Sequence, residues 1–275
     1  MNYTPQILDY LAKAGPFAEL ILAPQRKPLQ RTETGFIPVG DQVLSDADVR
    51  ETLSMLLNRV SGNIATLEKS GVHSFGIAKV GRFRLSYVTQ RGSYVVSLTR
   101  IAYEIPDLAD LVPDADALQR MAEFVRTRRS GLLVVTGASA VANNALVYSL
   151  LKRLSETEER VIYILEDATS FLLSHGRSVV VQCEVGRDTS SIEKGLAEAS
   201  PFMPDVLYLR DVTSREQIHL VTRAVGSEIL TIITVSVLDG EELIPFARTE
   251  FGSELICGVW RVYPEKGGKV RVSLK

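Results

Sequence analysis

Short apolar runs that alternate with helical spacing from Leu132 onward constrain this chain more than any other feature. The runs 132–136, 161–165, 179–182, 205–209 and 229–235 are rich in Val, Ile, Leu and Tyr. Near-continuous apolar runs of this length fit strands buried on both faces. Between them the apolar spacing becomes helical at 143–155, near 169–174, at 190–199 and at 214–225. Strands alternating with helices imply a mainly parallel sheet with both faces covered, an α/β fold. Val259–Tyr263, Pro264–Gly268 and Lys269–Leu274 then read as a closing hairpin.

The first hundred residues follow another pattern. Ile7, Leu8, Leu11 and Ala12 recur at helical spacing in Thr4 to Ala14. Phe17 to Ala23 reads as a strand ended by Pro24. Residues 25–43 carry Pro28, Gly35, Pro38 and Gly40, which suits loops with a short hairpin. Ser45-Asp46-Ala47-Asp48 can cap a helix that runs through Val49, Leu53, Leu56, Leu57 and Val60. Alternating runs near 72–78, 82–89 and 93–101 predict antiparallel strands, with Gly81 and Arg91-Gly92 at the turns. The domain reading is therefore an α+β domain over 1–103, a linker over 104–116 and an α/β domain over 117–275. Asp114-Ala115-Asp116 starts a helix from Ala117 to Arg126, and the basic group Arg126, Arg128 and Arg129 offsets its C-terminal dipole.

Composition excludes several functions. Hydrophobic content of 45% and charged content of 23% suit a globular core, and a net charge of −2 gives no basic field for nucleic acid or anionic lipid. No apolar run approaches the ~20 residues that span a bilayer, so no direct membrane insertion is expected. Met1 to Gln6 lacks the pattern of a signal peptide. Two cysteines and three histidines make a disulfide framework or a zinc site unexpected. The expected location is the cytoplasm, at the inner membrane only through partners.

The junction after Leu132–Thr136 carries the chemistry. Gly137-Ala138-Ser139-Ala140-Val141-Ala142-Asn143-Asn144-Ala145 joins a strand to the helical run Leu146 to Leu154. That is the place of a Walker A loop, which reads Gly, four residues, Gly, Lys, then Ser or Thr. Gly137 fills the first position, but Ala142 stands for the second Gly, Asn143 for the Lys and Asn144 for the magnesium-binding hydroxyl. A hydrogen bond to a charged group is worth about 1.5–3 kcal/mol, so the missing Lys alone weakens phosphate binding by roughly tenfold to over a hundredfold.

Further blocks follow in order. Strand 161–165 ends in Glu166-Asp167; Glu184-Val185-Gly186-Arg187-Asp188-Thr189 follows 179–182; Met203-Pro204-Asp205 opens a strand that ends in Arg210-Asp211. Carboxylates at strand C-termini lie near the crevice where α/β sheets bind ligands. Together with Phe17-Ala18-Glu19-Leu20-Ile21-Leu22 and Arg82-Phe83-Arg84, these blocks resemble the secretion ATPase superfamily, specifically the PilT-type ATPases that retract type IV pili. The resemblance covers almost the whole chain. It implies a PAS-like N-terminal domain, a linker and a RecA-like P-loop domain. It sets Gly137, Ser139, Ala142, Asn143, Asn144, Ala145 and Arg187 at cofactor-binding positions, and Glu166 and Asp211 at vestigial catalytic ones.

The departures cluster at those positions. The family's Walker B Gly-Glu corresponds to Arg210-Asp211, and its Met-Arg-Asp to Val212-Thr213-Ser214. The His-box position falls in Ile232-Ile233-Thr234-Val235, without its His, and arginines after Thr189 are replaced near Ala197 and Pro201. Gly267-Gly268-Lys269-Val270-Arg271 resembles the family's Gly-Gly-Arg-Val turn. Phosphoryl transfer rests on positioning and charge neutralisation, and these losses act together against it. Arg210 has the alternative of an ion pair with Glu166 or Asp211. The expectation is a catalytically inactive subunit or regulator of a pilus or secretion motor, with no cofactor and no metal. Its expected assembly is a homo-oligomer or a complex with an active ATPase or an inner-membrane platform protein. The alternatives are a divergent ATPase with weak ATP/Mg binding, and a scaffold for another ligand such as a cyclic dinucleotide.

Overall fold

A computed structural model describes residues 3–14, 18–32, 35–61, 67–77, 81–101, 104–224, 228–251 and 255–274. Phe17, Gly226 and Ala78 of the sequence reading lie outside them. The chain divides into two compact units, Met1–Glu104 and Ile105–Lys275.

In the first unit, strands β1 (Glu19–Leu22), β2 (Leu29–Thr32), β3 (Gly35–Pro38), β4 (Ser70–Ile77), β5 (Gly81–Gln90) and β6 (Ser93–Ile101) form one sheet, ordered β3-β2-β1-β6-β5-β4. All neighbours are antiparallel. Alternation along β5 buries Phe83, Leu85 and Tyr87 against α1 (Thr4–Ala14) and α2 (Asp46–Ser61), which supply Ile7, Leu11, Val49, Leu53, Leu56 and Leu57. One covered face and one half-open face is the usual arrangement of an antiparallel sheet. The Ser45 hydroxyl accepts from the Asp48 amide at 3.2 Å, while the Asp48 carboxylate accepts from the Ser45 amide at 2.8 Å. This reciprocal box fixes where α2 starts. Phe83 is fully buried and stacks on Phe75, so the core claims the middle of Arg82-Phe83-Arg84.

The second unit holds a seven-stranded sheet of β7 (Gly131–Gly137), β8 (Val161–Glu166), β9 (Val179–Glu184), β10 (Val206–Leu209), β11 (Leu230–Ser236), β12 (Ile256–Pro264) and β13 (Val270–Leu274). Its order is β13-β12-β7-β11-β10-β8-β9. Every pair is parallel except β12 with β13, so the predicted parallel sheet and closing hairpin are both present. Every residue of β7 and β10 is buried, as central strands covered on both faces require. Helices α3 (Leu108–Leu111), α4 (Ala115–Thr127), α5 (Ala140–Thr157), α6 (Ile192–Ala199), α7 (Arg215–Ala224) and α8 (Val237–Phe251) complete the unit. The stretch 106–113 carries α3, whose Leu108 and Leu111 are buried, and α3 packs on α4 and α5.

Three elements differ from the sequence reading. No helix forms at 169–174. There the amides of Thr169, Ser170 and Leu173 bond to side chains of Glu184, Glu166 and Gln182, so they are not available to a helical ladder. Helix α8 is additional: Gly240 and Pro245 disguise it, but Leu243 and Ala247 anchor it in the core. Helix α5 begins at Ala140, three residues before the predicted 143.

Candidate functional site

The early start of α5 reshapes the junction after β7. Only Ala138 and Ser139 separate strand from helix. Ser139 is the N-cap: its hydroxyl accepts from the Ala142 amide at 3.2 Å and its carbonyl accepts from the Asn143 amide at 3.0 Å. Two donors that an open phosphate loop would present are thus bonded within the chain. Asn143 is 2% exposed, and its Nδ2 donates to the Gly137 carbonyl at 3.3 Å. A Cβ on Gly137 would lie 2.5 Å from the Val262 carbonyl and 2.6 Å from Asn143 Oδ1. Glycine is needed here for close packing. Asn143 Oδ1 itself has no partner.

Asn144 is also buried, and its Oδ1 accepts from the Tyr208 hydroxyl at 2.8 Å. Tyr208 Oη is 3.4 Å from Thr234 Oγ1, which accepts from the Asp211 amide at 2.8 Å. A hydroxyl chain therefore links α5, β10 and β11 where nucleotide chemistry was sought. Burial pushes the Tyr208 hydroxyl far above its ordinary pKa, so it stays a donor. Ala145, also predicted as a site residue, is buried in α5.

At the C-terminal end of β8, Glu166 is 1% exposed. Its Oε1 accepts from the Tyr148 hydroxyl and its Oε2 from the Ser170 amide at 3.3 Å. Arg210, directly after β10, sets Nη1 3.6 Å from Glu166 Oε2 and Nη2 3.1 Å from Asp211 Oδ2. The same Nη1 donates to the Ala168 carbonyl at 2.9 Å. Burial raises the Glu166 carboxyl above its ordinary value, with Arg210 and then Tyr148 working against that rise. Asp211 has φ +52°. This left-handed turn is less costly for Asp than for most side chains, and amide bonds from Asp211 and Val212 to Thr234 hold it.

The fold thus brings Glu166, Asp211 and Arg210 into one cluster and joins Asn144 to the Asp211 backbone through Tyr208 and Thr234. It does not bring Arg187 to Gly137. Arg187 is exposed on the turn after β9, the edge strand, with β8, β10 and β11 between it and β7. Four strand spacings amount to roughly 19 Å. Glu184 is 5% exposed and accepts from the Thr169 amide at 2.9 Å. Asp205 has a structural place at the other end of the sheet, accepting from the Val161 amide at 2.7 Å. Tyr148, Tyr208 and Gln182 were not singled out from the sequence. The available signal was two tyrosines inside apolar runs, since a buried phenol needs a polar partner. Among the described residues, no group of three His, Cys, Asp or Glu side chains is arranged to hold a metal ion.

No family model matches the chain. Its sequence is 25% identical over 199 residues to the type IV pilus ATPase PilU of Pseudomonas aeruginosa, covering 72% of this chain and 51% of that protein. It is 28% identical over 152 residues to the type IV pilus retraction ATPase PilT of the same species, covering 55% and 42% respectively. The crystal structure of the pilus retraction motor PilT with bound ADP has the same fold, with a TM-score of 0.72 and 21% identity over 100% of this chain and 82% of that one. In sequence and in fold the chain is similar to PilT-type ATPases of the secretion ATPase superfamily. It spans about half the length of the curated relatives it matches.

Proposed function

We propose that the chain is a catalytically inactive PilT-like pseudo-ATPase that serves as an assembly or regulatory subunit of a type IV pilus or secretion motor. The second unit is read as a RecA-like domain with a degenerate Walker A loop, and the first as a PAS-like domain. The observation that carries this reading is the closure of the loop on itself. Ser139 caps Ala142, Asn143 bonds back to Gly137, and α5 starts at Ala140. A triphosphate needs free amides and a cation at this junction. The residues present do not fit one. Asn143 supplies no charge, and Asn144 gives its oxygen to Tyr208. Beside them, the guanidinium of Arg210 lies against both remaining carboxylates.

A subunit without turnover acts through its surfaces. The partners we propose are further copies of itself, an active pilus or secretion ATPase, or an inner-membrane platform protein. No helix among the described residues is long and apolar enough to cross a membrane.

Titration of a fluorescent ATP analogue, with and without magnesium, tests the reading together with steady-state phosphate release. The expected outcome is no saturable binding and no turnover. Turnover that disappears in Asp211→Ala would establish a divergent ATPase instead. Light scattering over a concentration series and pull-down with a motor ATPase test the assembly role. A strictly monomeric chain that ignores every pilus component would leave that role without support.

A further inference from the structure

We infer that Arg210 is a built-in cation that ties together the C-terminal ends of β8 and β10, so that this end of the sheet is fixed without nucleotide or metal. The inference rests on the inactive reading of the site and adds what replaced the ligand.

Glu166 and Arg210 are 1% and 6% exposed. A buried carboxylate or guanidinium is strongly disfavoured unless it is paired with an opposite charge and hydrogen-bonded. Glu166 meets that requirement from three directions: Tyr148 on α5, the Ser170 amide on the loop after β8, and Arg210 after β10. Arg210 in turn spans Glu166, the Ala168 carbonyl and Asp211 through its two Nη atoms, while its buried Nε has no partner. The Arg210 amide donates to the Leu165 carbonyl at 3.1 Å, which continues the β8–β10 pairing past Leu209. Asp211 reaches the fork from a left-handed backbone that Thr234 of β11 holds on both sides.

Arginine suits this work because its planar fork presents several donors in fixed directions. A lysine would carry the charge but not bridge three acceptors in the same way. The loop 167–171 is the element most dependent on the fork. It has no helix of its own, and its Ala168 carbonyl and Ser170 amide are bonded to Arg210 and Glu166.

Hydrogen exchange on the whole chain at neutral pH, read over 166–171 and 210–213, tests this with four proteins. These are the parent, Arg210→Lys, Arg210→Met and Arg210→Met/Glu166→Gln. In Arg210→Met, exchange in both segments should rise at least tenfold while β7 keeps its protection. Adding Glu166→Gln should recover at least half of the lost protection on a logarithmic scale, because a neutral amide needs no cation. Arg210→Lys should fall between the parent and Arg210→Met. A double variant no better protected than Arg210→Met would overturn the inference. So would an Arg210→Lys protein that exchanges like the parent, and this arm stands if Arg210→Met does not fold. ATP binding by the parent would remove the inactive reading without changing the Arg210–Glu166 coupling. Absence of that coupling in a chain that binds no nucleotide would overturn this inference alone.

Discussion

Restoring the family's lysine should harm this protein rather than revive it. Asn143 is 2% exposed, and its amide packs on Gly137, where β12 also approaches closely at Val262. In Asn143→Lys the longer side chain overpacks that space, at about 1–3 kcal/mol. Its ammonium would sit beside one carbonyl with no phosphate to meet. A fully buried ion carries a penalty of several kcal/mol, but Val141 and Ala142 are only half-buried and leave lysine a route to snorkel outward. The two effects together give about 2–4 kcal/mol of destabilisation. At roughly 2–4 °C per kcal/mol for a domain of this size, Tm falls by roughly 4–16 °C. Nucleotide affinity should not rise, because Ala142, Asn144 and Thr234 remain and groups that act as a unit are not additive. Thermal melting by circular dichroism, paired with titration of a fluorescent ATP analogue, measures both halves. A variant that melts with the parent and binds ATP saturably would refute the reasoning. It would mean that the start of α5 opens readily into a phosphate loop.

Ser139→Ala removes the N-cap of α5 and should cost about 1 kcal/mol, read as a lower denaturant midpoint at unchanged slope. Tyr148→Phe deletes the phenolic donor to Glu166 and should cost about 1–3 kcal/mol, with the loss shrinking once Glu166→Gln is also present. The raised Glu166 carboxyl makes a stabilising contribution that is full below its unfolded value of 4.5 and is lost as pH rises through the folded one. Glu166→Gln should therefore gain on the parent with rising pH above 4.5 when Tm is followed across pH, and a pH-independent difference would contradict the shift.

The architecture was legible because it rests on period and burial. Val134 and Val135 in β7, Ile162 to Leu165 in β8 and Val206 to Leu209 in β10 are continuous apolar runs, and all of them are buried central strands. The site was legible only in part. Sequence spacing marked Glu166, Arg210 and Asp211 as strand-end groups and offered their ion pairing as an alternative. It did not reveal the 167–178 loop, because Phe171 and Leu173 supply apolar residues that look helical. What decides their conformation is bonding of amides to the side chains of Glu166, Gln182 and Glu184 rather than to backbone carbonyls. The N-terminus of α5 was misplaced for a related reason. A family loop pattern suggested an open junction, while Ser139 already carried the local signal of a helix cap.

The charge accounting at the strand ends explains why two apparent losses belong together. A P-loop nucleotide site holds a lysine and a bound cation beside its acidic groups. Asn143 supplies no charge, so Glu166 would remain buried against Tyr148 and Ser170 with no counter-ion. Retaining Glu166 under those conditions would destabilise the fold by several kcal/mol, unless the carboxyl were protonated. Arg210 resolves this from within the chain, and Asp211 takes the second arm of its fork. Arg210 is thus the residue that lets Glu166 and Asp211 stay where they are. On this argument, single changes at Asn143 or Arg210 cost stability unless the groups that face them change as well.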